Sequence, residues 1–275
     1  MVTNNKKRVL LITQELTPYL QLTDYAKTLN QLAAKANDLD MEVRIIMPRF
    51  GVINERRNRL HEVVRLSGIN VIIDKDDHPL LIKVASLPNA RLQVYFMDNE
   101  DFFKRKFVFR DKENNWFDDN IMRTAFFCKG ALETVKKFGW PPDIIHCTGW
   151  MTSLIPLFLK TAYKREPVFT NAKSIYTLQE NSFNEKLDES FLSKARIHNT
   201  IKEKDLAPFS ELTNTALNLG GATYADAVAI GDNMVDEDLL TKIKENDKKE
   251  VFPYSDEENL IDNYMDFYEK LAPTS

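Results

Sequence analysis

Continuous apolar runs alternate with helically spaced apolar positions over much of this chain. VLLIT (9–13) is apolar nearly throughout, the pattern of a strand buried on both faces. Leu22, Tyr25, Ala26, Leu29, Leu32 and Ala33 then recur on one helical face, ending near Asn37, and EVRIIMP (42–48) is a second strand. Strand, helix and strand in about forty residues predict a βαβ unit with a right-handed crossover.

The next stretch breaks this alternation. HEVVRL (61–66), INVIID (69–74), LLIKVAS (80–86) and RLQVYFMD (91–98) are strand-like runs joined by short turns. Parallel neighbours need long crossovers, so these runs predict an antiparallel insertion or edge. A long helix is expected over 117–138, then strand DIIHC (143–147), helix 150–160, and strands PVFT (167–170) and SIYTL (174–178). Residues 184–209 are polar and weakly helical, an excursion over the surface. Helix 210–219 should end at Gly220-Gly221 as a C-cap, before strand DAVAI (226–230) and a helix after Asp232.

Alternating strands and helices give a fold class of α/β, a Rossmann-like doubly wound, mostly parallel sheet with an antiparallel insertion. Residues 1–243 form the main domain. Residues 244–275 form a solvated linker, KENDKKE, and an amphipathic helix carrying Leu260, Ile261, Tyr264, Met265, Tyr268 and Leu271 on one face. Ser255 and Glu258 are spaced as a capping box, with acidic residues in the expected first turn. That apolar face should dock on its own domain; the alternative is a partner or a second copy.

Composition narrows the function classes. A net charge of −4 without a basic stripe gives no footprint for nucleic acid. No apolar run is long enough to span a bilayer, and the opening MVTNNKKR has no secretory pattern, so a cytoplasmic protein is expected. Cys128 and Cys147 lack metal or redox spacing and read as core residues. His61, His78 and His198 have neither metal spacing nor a nucleophile nearby, and no metal or cofactor is expected. Only eight of the 275 residues are glycine, so any phosphate cradle must be sparse.

Several local motifs occur in one order: VRIIMPRFG (43–51), VYFMDNEDFFKR (94–105), DDNIMRTAFFCKGALE (118–133), PPDIIHCTGWMTSLIPLFLK (141–160) and LGGATYADAVAI (219–230). Together, over roughly residues 8 to 235, they resemble the N-terminal starch synthase catalytic domain of glycogen and starch synthases, glycosyltransferases of the two-Rossmann-domain GT-B class. The resemblance implies glucosyl transfer from ADP-glucose to an α-1,4-glucan or maltooligosaccharide. In that architecture a C-terminal domain supplies most nucleotide contacts; this chain reads as a short form whose second domain would come from a separate partner chain. Two segments depart from the family pattern. Gln21-Leu22-Thr23-Asp24 stands where the family has Lys-x-Gly-Gly, and in the PPDIIHCTGW segment Thr148, Gly149 and Met151 replace His, Asp and His. A non-catalytic glucan-binding or regulatory protein on the same scaffold is the alternative.

By this resemblance His146 is the candidate catalytic residue, at a strand end where doubly wound folds bind ligands; the other reading is a histidine that holds its turn. Asp119, Asn120 and Arg123 are candidate glucan ligands, or an N-cap with a surface arginine. Trp150 is either a sugar-stacking platform or core. Thr148 completes the candidate substrate-binding set.

Overall fold

The computed structural model describes residues 6–88, 90–245, 249–255 and 258–273. The first apolar run is β1 (Arg8–Thr13), followed by α1 (Tyr25–Asp38) and β2 (Glu42–Pro48). The insertion supplies β3 (His61–Glu62), β4 (Ile69–Ile73) and β5 (Asp76–Ser86), and the chain returns through β6 (Gln93–Asp98). Two helices follow, α2 (Glu100–Phe103) and α3 (Asn120–Phe138), then β7 (Ile144–Thr148), α4 (Leu154–Lys160) and β8 (Lys173–Leu178). The polar excursion forms the short α5 (Ser190–Ala195) and α6 (Glu203–Leu206). The chain closes with α7 (Asn214–Tyr224), β9 (Ala227–Ile230), α8 (Glu237–Lys244), β10 (Glu250–Phe252) and α9 (Leu260–Leu271).

The strands form one sheet in the order β10-β9-β8-β7-β1-β2-β6-β5-β3, with β4 paired to β5 off this path. From β10 to β6 every pairing is parallel; β5 pairs antiparallel with β6, β3 and β4. The doubly wound sheet with an antiparallel edge is therefore the observed fold. Strand order reverses between β1 and β7, and the crevice outside the carboxyl ends there is where such folds hold ligands.

Register assigns the two faces. His146 lies level with Leu11 on β1 and Ile175 on β8, so these side chains share one face, which also carries Thr177. That face is covered by α1 and α9, through Tyr25, Tyr264 and Tyr268. On the other face Cys128 of α3 donates to the Met151 carbonyl, and Tyr176 donates to Asn218 of α7.

The last helix belongs to this core. Tyr264, Met265, Phe267 and Tyr268 are all buried, and burying a side chain of this size contributes roughly 1.5–3 kcal/mol. Lys35–Asp262 (2.6 Å) and Lys7–Glu269 tie its polar side to α1 and the approach to β1. The apolar face predicted from the sequence thus meets its own domain.

Several local expectations are corrected. PVFT forms a 3₁₀ turn (Pro167–Phe169): proline fixes φ and lacks a ladder donor, and the Phe169 amide bonds back to the Glu166 carbonyl at 3.0 Å. HEVVRL pairs only at His61 and Glu62 before turning. Gly220 and Gly221 lie inside α7 rather than capping a helix. A Cβ at Gly220 would fall within 2.1 Å of the Phe209 ring, and one at Gly221 within 2.7 Å of Tyr176, so both serve close helix packing. The Ser255–Glu258 capping box does not open α9, which starts at Leu260 with Asn259 in the cap position; Asp256 and Glu257, placed in its first turn, lie outside the described residues. KENDKKE is not wholly linker, because Glu250 begins β10.

Candidate functional site

A cleft of about 730 Å³ opens at the carboxyl ends of β1, β8 and β9. Each strand ends in a polar stretch that lines or supports it: Gln14 and Glu15 after β1, Gln179, Glu180 and Asn181 after β8, Gly231, Asp232 and Asn233 after β9. The start of α1 forms one wall (Leu22 to Tyr25), with Tyr254, Leu260 and Tyr264 from the C-terminal segment and Phe109 from the loop before α3. Asp24, Glu180 and Asp232 line the cleft, and none of the described lining residues is Lys, Arg or His.

The loop between β1 and α1 is fastened by Glu15, which is 1% exposed. Its Oε2 accepts the Leu22 and Thr23 amides at 2.5 and 2.7 Å, and its Oε1 accepts the Thr23 hydroxyl at 2.6 Å. Burial pushes this carboxyl above its ordinary pKa, while the three hydrogen bonds pull it down. Thr23 Oγ1 also accepts the Tyr25 amide (3.2 Å) and the Gln179 side-chain amide (3.3 Å), which links the loop to the end of β8. Gln14 lies over Gly149 and accepts the Met151 amide at 3.2 Å. Gly149 has φ +82°, and a Cβ there would meet Gln14 Cδ at 2.4 Å. Asn181 donates to Thr215 at 2.9 Å, fixing its side chain against α7.

None of the six residues singled out in the sequence lines this cleft. His146 sits mid-strand and fully buried, not at a strand end. Its Nδ1 meets Tyr268 Oη and its Nε2 meets Thr177 Oγ1, both at 2.6 Å. Burial pushes its pKa down to about 3, so the ring is neutral near pH 7. From Thr177 the polar chain continues to Tyr25 Oη (3.4 Å) and on to Tyr264 Oη (2.7 Å), two residues that do line the cleft.

The other candidates stand behind the wall that Phe109 forms. Arg123 Nη1 donates to the Val108 carbonyl and to Asn120 Oδ1, both at 2.6 Å, and Asn120 Nδ2 donates to the Phe109 carbonyl at 2.9 Å. Phe50, Phe103, Phe109 and Phe117 surround the guanidinium within 6.0 Å. Burial lowers its pKa to about 9, which still leaves it charged at neutral pH. Asp119 caps nothing with its side chain and pairs with Arg105 instead. Trp150 packs among Phe109, Trp116 and Phe183, with ring centroids 4.8 to 5.7 Å away. Thr148 is buried at the end of β7, and its hydroxyl has no hydrogen-bond partner among the described residues. Asn120, Arg123 and Trp150 thus set the position of the 108–109 backbone and of the wall it builds.

The cleft residues had a signal in the sequence: ITQE, LQEN and IGDN each place amides and acids directly after an apolar parallel strand. Among the described residues no cluster of His, Cys, Asp and Glu could hold a metal ion. No helix among them is long and apolar enough to cross a membrane.

The starch synthase catalytic domain family model matches residues 8–251. Glycogen synthase of Chlorobium chlorochromatii is 38% identical over 178 residues, which are 64% of this chain and 36% of that protein. Glycogen synthase of Chlorobium luteolum is 39% identical over 172 residues, 62% of this chain and 35% of that protein. The matched segment therefore spans about a third of the length of these relatives. The catalytic domain of starch synthase IV from Arabidopsis thaliana, solved with ADP and acarbose, matches 90% of this chain and 51% of its own, with TM-score 0.73 and 17% identity; this likeness shows the fold. The chain belongs to the starch synthase catalytic domain family.

Proposed function

We infer that this glycogen/starch synthase-like chain serves glucosyl transfer from ADP-glucose to an α-1,4-glucan, and that the glucan is held in the cleft at the sheet's carboxyl edge. One observation carries the reading: the chemistry of the cleft wall. Side chains of Gln14, Gln179, Asn181 and Asn233 offer directional donors and acceptors, beside the rings of Tyr25, Phe109 and Tyr254. Hydroxyls need the former and sugar-ring faces the latter, and the volume lies in the range of small-ligand sites.

Within this reading His146 is a positioning residue. A neutral ring bonded on both nitrogens holds the Thr177 hydroxyl, and through it Tyr25, at the cleft wall. Asn120 and Arg123 act likewise on the 108–109 backbone, and Trp150 packs against the Phe109 ring. Transfer requires both substrates to be enclosed and oriented, so a second domain faces the cleft, on this chain or on a partner. A cytoplasmic location is proposed as part of this reading.

Calorimetric titration of the purified chain with maltoheptaose tests the reading. Binding is expected, and Gln179→Ala should weaken it up to roughly ten-fold, the worth of about one hydrogen bond. Transfer from ADP-glucose to glycogen is assayed alongside, for the chain alone and with candidate partner chains. Binding without transfer in every combination would leave the glucan-binding or regulatory alternative. A chain that binds no maltooligosaccharide would sink the reading.

A further inference from the structure

We propose that Tyr264, on the C-terminal helix, contacts the ligand in the cleft, acting with Tyr25 as a paired hydroxyl that donates a hydrogen bond to a ligand oxygen. The inference deepens the glucan reading and rests on it for the ligand, whose hydroxyl, ring and bridging oxygens are all acceptors. Tyr264 lies beyond the segment that matches the family model, which ends at residue 251, so the family match says nothing of it.

The hydrogens of the buried polar chain have a forced direction. Tyr268 is 1% exposed, and His146 Nδ1 is the one hydrogen-bond partner of its hydroxyl among the described residues. A buried hydroxyl gives its hydrogen to the acceptor within reach, so Tyr268 donates to Nδ1. The neutral ring then carries its single hydrogen on Nε2 and donates it to Thr177 Oγ1. Thr177 in turn gives its own hydrogen outward, to the tyrosine pair. Thr177, Tyr25 and Tyr264 hold three hydroxyl hydrogens and make two hydrogen bonds among themselves, at 3.4 and 2.7 Å. One hydrogen is left over.

That hydrogen has two places to go. Returned from Tyr264 to Thr177, it would close the three hydroxyls into a ring. A closed ring draws its members to about 2.7–2.8 Å, the ordinary spacing of hydroxyl pairs. The 3.4 Å limb between Thr177 and Tyr25 leaves the ring open. Turned outward, the hydrogen meets the cleft that both tyrosines line. Neither tyrosine is free to swing away. Gly231 lies so close that a Cβ there would come within 3.0 Å of the Tyr25 ring, and Phe252 packs on Tyr264 with ring centroids 4.1 Å apart. Burial pushes the Tyr25 pKa up to about 12 and raises that of Tyr264 as well, so both hydroxyls keep their hydrogens at neutral pH.

The test combines calorimetry with maltoheptaose on the full chain and nitrogen-15 NMR of the His146 imidazole. The double variant Tyr25→Phe, Tyr264→Phe keeps both rings and removes both hydroxyls, so neither can replace the other. It should bind maltoheptaose roughly two- to ten-fold more weakly, the worth of one hydrogen bond. Met265→Ala, buried on the same helix and absent from the cleft wall, loosens the packing of α9 and keeps every hydroxyl. Its affinity should stay within about two-fold of the wild type. The NMR should find the His146 hydrogen on Nε2. A hydrogen on Nδ1 would overturn the inference, since the chain of donors would then run inward and leave none for the cleft. Unchanged affinity in the double variant would overturn it too. So would an equal loss in Met265→Ala, which would trace the effect to helix packing. If the double variant does not fold, or if the wild type binds no maltoheptaose and the glucan reading falls, the ring hydrogen still decides: on Nε2 the outward donor stands, on Nδ1 it falls.

Discussion

Lowering the pH should destabilise this protein through one buried ring. His146 is fully buried, and its pKa falls to about 3 in the folded protein, against an ordinary 6.5. Below the unfolded value the unfolded chain takes up a proton that the folded protein refuses, so acid favours unfolding. At pH 7.5 both states are neutral and the effect nearly vanishes. At pH 5 the gap to the unfolded pKa is about 1.5 units, and at about 1.36 kcal/mol per unit the loss is about 2 kcal/mol. The loss deepens until the pH approaches the folded value of about 3.

Urea denaturation of the wild type and of His146→Gln at both pH values isolates the effect. Glutamine carries no charge at either pH and can still reach Tyr268 and Thr177, although the variant starts from lower stability. Every other ionisable group is common to both proteins and cancels in the double difference. The wild type should lose about 2 kcal/mol more than the variant between pH 7.5 and pH 5. Equal losses would refute the reasoning, because they would mean that the folded protein accommodates a protonated His146.

Two further outcomes follow from single contacts. Gly149→Ala places a Cβ at a positive φ and within 2.4 Å of Gln14 Cδ; it should cost roughly 2–4 kcal/mol in a urea titration and displace Gln14 from the cleft wall. Tyr268→Phe removes the 2.6 Å partner of His146 Nδ1 and leaves a buried ring nitrogen unpaired, a loss of about 1–3 kcal/mol; faster amide exchange in α9 than in α3 would locate it.

What the sequence made legible follows from what apolar patterning encodes. VLLIT, EVRIIMP, DIIHC, SIYTL and DAVAI carry β1, β2, β7, β8 and β9, because a strand covered on both faces must be apolar almost throughout. The stripe from Leu260 to Leu271 is legible for the same reason: one face is buried and the other meets solvent. Patterning says which positions are buried and is silent about their partners. A polar side chain at the end of an apolar run, as at His146, suits either a crevice or the holding of a turn. Its actual partner, Tyr268, lies 122 residues further on in a helix whose docking position no local pattern specifies. Arg123 is similar: an arginine one turn into a helix suggests a glucan ligand or a surface group, and only the tertiary fold brings four phenylalanine rings around it.

The cleft itself shows where the missing information lay. Its wall comes from three short polar stretches after β1, β8 and β9, spread over more than two hundred residues of chain and unremarkable one at a time. They become a site because parallel strands of one sheet bring all their carboxyl ends to the same edge. The landmark motif around His146 and Trp150 does different work: it fixes the sheet face and backs the Phe109 wall, behind the residues that line the cleft. In a fold of this class, the residues that identify the scaffold and those that meet the ligand need not coincide. Strand-end polar residues, read together across the sheet order, are the better guide to the second group.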